Sequence, residues 1–325
     1  MKRRSFIQGV TIPLAGALAA GAQAQTVTTA PTRITSTLPV GSGPDTVARL
    51  VAEKLTVRWK QPVVVDAKPG GAGVVAINAM KNLPPTGNEL VLADVGNLSI
   101  NPLIFKNLRY DPERELVPVA LMFRTAFFIV VGTGSKLRSV KDLIDASRNS
   151  ATQLTYGSNA VGGPIHLASA QLEYALGATM THVAFKETSQ LYVSVSTGEV
   201  DWAFGSIATV LPLLKAGRVR LLAVADRARS SAAPDVPTLG EAGGPPHLDA
   251  FAWNGFFAPA GTPRDVVLDI NKAVIDALAQ PDVAEKLATF SFTPQALTPQ
   301  QLGELMRSDR ARYAEVLKRV KVTVD

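Results

Sequence analysis

The chain has 325 residues, 46% of them hydrophobic and 18% charged, enough for about two domains with full cores. Its formal net charge is +6, and no run of Lys or Arg resembles a nucleic-acid patch. Zero Cys excludes disulfides, thiolate nucleophiles and Cys-based metal sites, and His166, His182 and His247 are not spaced as a helical metal pair.

Residues 1–24 read as an export signal peptide. Lys2, Arg3 and Arg4 form a basic n-region, residues 6–20 are mildly apolar, and Ala22-Gln23-Ala24 is a small-residue cleavage site before Gln25. Arg3-Arg4-Ser5-Phe6-Ile7 resembles a twin-arginine signal but lacks the Ser or Thr usual before the arginines and the Lys usual after the apolar pair. A plain Sec signal is the alternative. Either way the reading is an exported chain without a lipid anchor. Loss of the leader leaves 30 basic against 27 acidic residues, a modest +3.

Beyond the leader, short apolar runs alternate with helical patterns, which argues for an α/β fold with mainly parallel strands. Strand 33–37 leads through Leu38-Pro39-Val40-Gly41-Ser42-Gly43-Pro44-Asp45 into helix 46–59. Strand 63–65 and helix 72–80 follow, then strand 90–93, ending at polar Asp94, Asn97, Ser99 and Asn101. Two strands are expected at 117–123 and 126–131. Ser139 and Asp142 suit a capping box for the next helix. The rhythm then restarts with strand 153–156, a second glycine turn from Gly157 to Pro164, helix 165–176, strand 181–185 and helix 189–196. Gly198 stops that helix before strand 200–204, and Gly217 stops helix 211–216 before strand 219–225. After a Pro/Gly-rich stretch at 234–246 come strand 251–258, a helix capped at Thr262-Pro263, and a last helix from Thr298-Pro299 to about Val320.

Each glycine turn follows a strand and opens a helix. A helix start has unpaired N–H groups and a partial positive charge, so two such turns on two lobes make a cleft suited to a small anion. The chain is expected to cross between lobes near 124–131 and to return near 247–255, forming a hinge. Several residues admit two readings. Asp45 either meets a ligand hydroxyl or amine, or satisfies its own helix's first-turn amides. Lys186 either faces the cleft as a counter-ion or is a solvated strand-end lysine, and Trp253 lines the cleft mouth or fills the inter-lobe core. His166 has no Asp or Ser partner at readable spacing, so packing outweighs catalysis. Gly71-Ala72-Gly73-Val74-Val75-Ala76 fits a dinucleotide fingerprint, but residues 66–70 separate it from its strand, where the real motif turns tightly. The other common enzyme signatures are absent, and no cofactor is expected.

The same residues, taken together, resemble the Bug-type (TctC-like) binding proteins of tripartite tricarboxylate transporters. The family's P-x-G-G-x-x-D-x-x-A-R loop matches residues 39–49, from Pro39 through Asp45 to Arg49. Its V-V-V-E-N-R-P-G-A-G-G stretch matches residues 63–73. Asn101-Pro102 before Leu103-Ile104, Gly157-Ser158 through Gly162 with His166-Leu167, Phe185-Lys186, Gly198 to Phe204, and Ala252 to Pro263 match further motifs. This resemblance implies a two-lobed type II periplasmic-binding-protein fold, with lobe 1 at 25–127 plus 252–325 and lobe 2 at 128–251. It implies a periplasmic receptor, monomeric and without nucleic-acid partners, that closes on a small carboxylate and delivers it to a membrane permease. Carboxylate contacts carry over to Val40, Gly41, Ser42, Gly43 and Asp45 in lobe 1, and to Ser158, Asn159, Gly162 and Gly163 in lobe 2. Asn97, Asn101 and Lys186 join them as polar candidates. Three departures stand out: Ala160 replaces a loop glycine, Gly163 replaces Ser or Thr, and Glu187 replaces the glycine after Lys186. They favour a ligand with an amine, an amide or a single carboxylate. The competing readings are a ligand sensor without a permease and an exported hydrolase using Asp45 or His166.

Overall fold

The computed structural model describes residues 30–148, 153–320 and 322. The leader assigned to 1–24 lies outside them. In chain order, β1 (Thr32–Ser36) leads to α1 (Gly43–Trp59), β2 (Val63–Ala67), α2 (Val74–Met80) and β3 (Glu89–Asp94). A π-helical turn (Gly96–Ile100) then runs into α3 (Asn101–Ile104) and α4 (Pro112–Glu115). Strands β4 (Leu116–Ala126) and β5 (Phe128–Gly132) follow with only Phe127 between them. Next come α5 (Val140–Arg148), β6 (Thr155–Ser158), α6 (Pro164–Leu176), β7 (Thr181–Ala184) and α7 (Thr188–Thr197). The chain ends with β8 (Trp202–Gly205), α8 (Ile207–Lys215), β9 (Val219–Val224), β10 (Phe251–Pro259), α9 (Arg264–Leu278), α10 (Pro281–Thr289) and α11 (Pro299–Arg319).

Two five-stranded sheets share one plan, with strand orders β2-β1-β3-β10-β4 and β7-β6-β8-β5-β9. In each, three parallel strands are followed by one antiparallel strand, β10 or β5, and a fifth that opposes it. Helices cover the sheets, so central strands are apolar throughout; in β3 Leu90, Val91, Leu92 and Ala93 are all fully buried. Helix α1 turns one stripe inward, Val47, Ala48, Val51, Ala52 and Leu55, at the spacing of an amphipathic helix. The expected α/β, two-lobed fold is the fold observed. Among the described residues no helix is long and apolar enough to cross a membrane.

Three local expectations need correction. Helix α2 starts at Val74, because Gly71, Ala72 and Gly73 all have positive φ and form a turn instead. Helix α8 starts at Ile207, four residues before the expected 211, because Ser206 caps it and Pro212 sits inside it. Thr262 does not cap α9: its hydroxyl donates back to Pro259 O, and Pro263 takes the cap position. Thr298 does form a full capping box with Gln301.

The two crossing segments are tied together. Phe127 N–H donates to Ala250 O and Ala225 N–H to Phe127 O, both at 2.9 Å. Arg124 pairs with Asp226 at 2.5 Å and lies over the Phe251 ring at 4.1 Å, while the Arg312 guanidinium lies over the same ring at 4.7 Å. Arg312 also grips Asp309, whose other oxygen accepts the Trp253 indole N–H at 2.7 Å. Trp253 is fully buried in a cluster that includes Leu167 of α6, which settles its role as inter-lobe core.

Candidate functional site

Sheet topology sets the site. In the first sheet the chain goes from β1 outward to β2 and then back across to β3, so the connections part between β1 and β3. The second sheet repeats this between β6 and β8. In open α/β sheets ligands bind at such a switch point, beyond the carboxyl ends of the strands. Four loops result: 37–43 after β1, 94–97 after β3, 158–163 after β6, and the Ser206 cap after β8. They face each other across the lobes. A methyl placed on Gly43 would stand 3.5 Å from Ala208 Cβ, and one on Gly96 would stand 3.6 Å from Pro164 Cδ.

In the first turn Gly41 has φ +79°, a conformation that favours glycine. Its N–H donates to Asp45 Oδ2 at 2.9 Å, and the same carboxylate accepts two N–H groups of Arg49 at 3.0 Å each. Asp45 is 1% exposed. It shapes the turn. Ser42 donates to Pro39 O and accepts from Asp45 N–H, as a helix cap does. The amides of Val40 and Gly43 have no acceptor among the described residues, and Val40 is exposed. Behind them Thr37 is buried with its hydroxyl unpartnered.

Asn97 and Asn101 both donate to Ala72 O at 2.8 Å, and Asn101 also bonds Tyr110 Oη at 2.9 Å. Ala72 is a non-glycine residue at φ +51°, so the two amides fix a strained turn. The same stretch, Gly71 to Ala76, is therefore no dinucleotide cradle. Asn97 also completes a reciprocal cap with Asp94. Asp94 Oδ1 accepts Asn97 N–H at 2.9 Å, and Asp94 N–H donates to Asn97 Oδ1 at 3.2 Å. Burial raises the Asp94 carboxyl above the usual range, against the pull of the Asn97 and Gly96 amides.

The second turn is held by histidines. Gly162 N–H donates to His166 Nδ1 at 2.9 Å, and Ser158 Oγ meets His182 Nε2 at 2.7 Å. The two imidazoles stack with centroids 3.9 Å apart, and Tyr156 stacks on His182. His166 accepts an N–H at Nδ1 and is therefore neutral; burial first, then His182, pushes it down to about 4. Burial lowers His182 as well. Gly163 N–H donates to Ala160 O at 3.1 Å, so both glycine amides of this turn are used internally. The first-turn amides of Ile165 and His166 remain without an acceptor among the described residues, since α6 has no side-chain cap. A methyl on Gly163 would come within 3.1 Å of Ala160 Cβ, so two of the three departures from the family pattern compensate each other.

Asn159 donates to Thr188 Oγ1 at 3.2 Å, bridging the turn to α7. Lys186 and Glu187 are both exposed, and no ion pair joins them. Reasoning from sequence overlooked Thr37, Ser206 and the cap role of Asp94. Only Asp94 carried a signal, as the acid that ends an apolar strand.

Residues 47–322 match the tripartite tricarboxylate transporter family receptor. The chain belongs to this family. Protein BugT of Bordetella pertussis is 28% identical over 319 residues, covering 98% of this chain and 97% of BugT. Among solved structures, R. palustris Rpa4515 with adipate is 28% identical with a TM-score of 0.81, covering 89% of this chain and 97% of that one. MatC (Rpa3494) from Rhodopseudomonas palustris with bound malate is 26% identical with a TM-score of 0.78, covering 89% and 99%. The family consists of solute receptors, not enzymes, which decides against the hydrolase reading. Ser158 and His182 have the distance of a nucleophile–base pair, yet Ser158 is fully buried.

Proposed function

We propose that this receptor works in the periplasm as a monomer, capturing a small carboxylate between its lobes and handing it to the permease of a tripartite transporter. Lobe 1 comprises residues 25–127 and 252–325, and lobe 2 comprises residues 128–251. The observation that carries this reading is the pair of facing switch points, each with helix-start amides that lack an acceptor among the described residues. The amides of Val40 and Gly43 receive the solute from lobe 1, and those of Ile165 and His166 from lobe 2. Ser42, Asp45, Asn97, Asn101, Ser158, Asn159, Gly162 and Gly163 hold the surrounding turns in shape. Lys186 adds a positive charge at the rim. The bound adipate and malate of the two structural relatives support a carboxylate ligand.

Thermal denaturation against a panel of mono- and dicarboxylates, aromatic acids and amino acids tests this. A solute at about 100 times its Kd adds about 2.7 kcal/mol, so a cognate carboxylate raises the midpoint by roughly 5 °C or more. Folded protein that shifts with no member of the panel would overturn the proposal.

A further inference from the structure

Asn254 of β10 is 5% exposed, yet its side-chain amide makes no hydrogen bond among the described residues. Nor is that amide sealed in, as the unpartnered hydroxyls of Thr37 and Thr125 are; its oxygen and nitrogen stay open to solvent. The sheet fixes which way it opens. Side chains alternate along β10, with Trp253 and Phe257 in the apolar cluster beneath α11 and Phe256 in the one beneath α1, so Asn254 stands on the α1 face. Along the strand it sits at the carboxyl-end rim of the sheet, opposite Asp94, the last residue of β3, on one side and Phe123 on the other. Phe123 stacks on Phe292 with centroids 3.8 Å apart, and a methyl on Gly43 would lie 3.1 Å from the Phe292 ring and 3.5 Å from Ala208 Cβ of lobe 2. The face and the end of the sheet that carry Asn254 are therefore those where the first glycine turn meets the other lobe.

A polar group this deep and without a partner costs the fold stability, and Leu has nearly the shape of Asn without that cost. The amide does for a solute what it does not do for the protein. Its Nδ2 is a neutral donor on the cleft floor, and a carboxylate resting on the Val40 and Gly43 amides is an ionised acceptor. Hydrogen bonds with one ionised partner are the strong ones.

We propose, resting on the carboxylate-receptor reading above, that Asn254 is a binding residue of the cleft floor, its Nδ2 donating to the solute carboxylate held by the first glycine turn. Titration calorimetry with succinate, malate, adipate and benzoate, paired with melting of the solute-free protein, tests it. Asn254→Leu removes the amide and no bond within the protein, so the solute-free variant melts at the wild-type temperature or above. Its affinity for the acids that the wild type binds falls about tenfold or more. Asn254→Asp, also of the same size, sets an anion in the floor and lowers affinity at least as far. Wild-type affinity in Asn254→Leu would overturn the proposal. So would a solute-free midpoint lowered by more than about 3 °C together with the affinity, which would assign the amide to the fold. Asn254→Asp decides alone should the Leu variant give no folded protein, and undiminished affinity there would overturn it too. Acids that bind wild type and variants alike defeat only this inference, whereas a wild type that binds none of the four defeats the receptor reading with it.

Discussion

At the residue scale the stacked histidines carry the clearest consequence. His166 accepts the Gly162 N–H at Nδ1, so a proton there breaks the bond that shapes the second turn and sets a charge against the His182 ring 3.9 Å away. The folded state holds His166 near 4, whereas the unfolded chain protonates it near 6.5. As pH falls from 6.5 the unfolded chain takes up the proton first. The stabilisation is complete above pH 6.5 and is lost down to about pH 4, amounting to about 3 kcal/mol. Urea midpoints measured between pH 7.5 and 4 should fall more steeply for the wild type than for His166→Asn. Parallel slopes would remove His166 from the account. Asp45 gives the opposite lesson. Either a ligand contact or a cap was open to it, and its bonds to Gly41 and Arg49 make it the clamp of its turn.

At the element scale, what was legible in the sequence followed local rules. Thr298 three residues before Gln301 reads directly as a capping box, and Gly198 stops α7 in the left-handed conformation that favours glycine. Both glycine turns also fell where strand-to-helix punctuation put them. The hidden part depended on partners brought by the fold. Nothing near Gly162 says that His166 will consume its amide, and nothing near Asn97 or Asn101 says that both will donate to the carbonyl of Ala72, far away in sequence. Pro212 masked the start of α8, which Ser206 determines. The second turn offers a direct test of such coupling. Gly163→Ser, which restores the family residue, forces an added Cβ to within 3.1 Å of Ala160 Cβ and should destabilise by about 1–2 kcal/mol. Adding Ala160→Gly should recover most of that loss, giving a coupling of about 1 kcal/mol in a double-mutant cycle of denaturation midpoints. Strictly additive effects would show that the two departures arose independently.

At the scale of the whole molecule the chain passes between the lobes twice, the first time with Phe127 the single residue between β4 and β5. Arg124 braces them through Asp226 and Phe251, and Ser230 meets Ser291 across the lobes at 2.8 Å. Arg124→Ala removes a half-buried ion pair and a cation–π contact, worth about 1–3 kcal/mol together. The variant should melt earlier and show a larger radius of gyration in small-angle scattering with saturating solute. An unchanged radius would mean that closure does not lean on this brace. The same connectivity bears on how the chain is made. Every strand of the second sheet lies within residues 128–224, so that lobe can fold as soon as its stretch has left the ribosome. The first sheet has to wait for β10, which sits between β3 and β4 and is the last strand to appear. Until then β3 and β4 present bare edges, each a template for pairing with another chain. Synthesis halted before residue 251 would thus leave one finished lobe attached to one prone to aggregate.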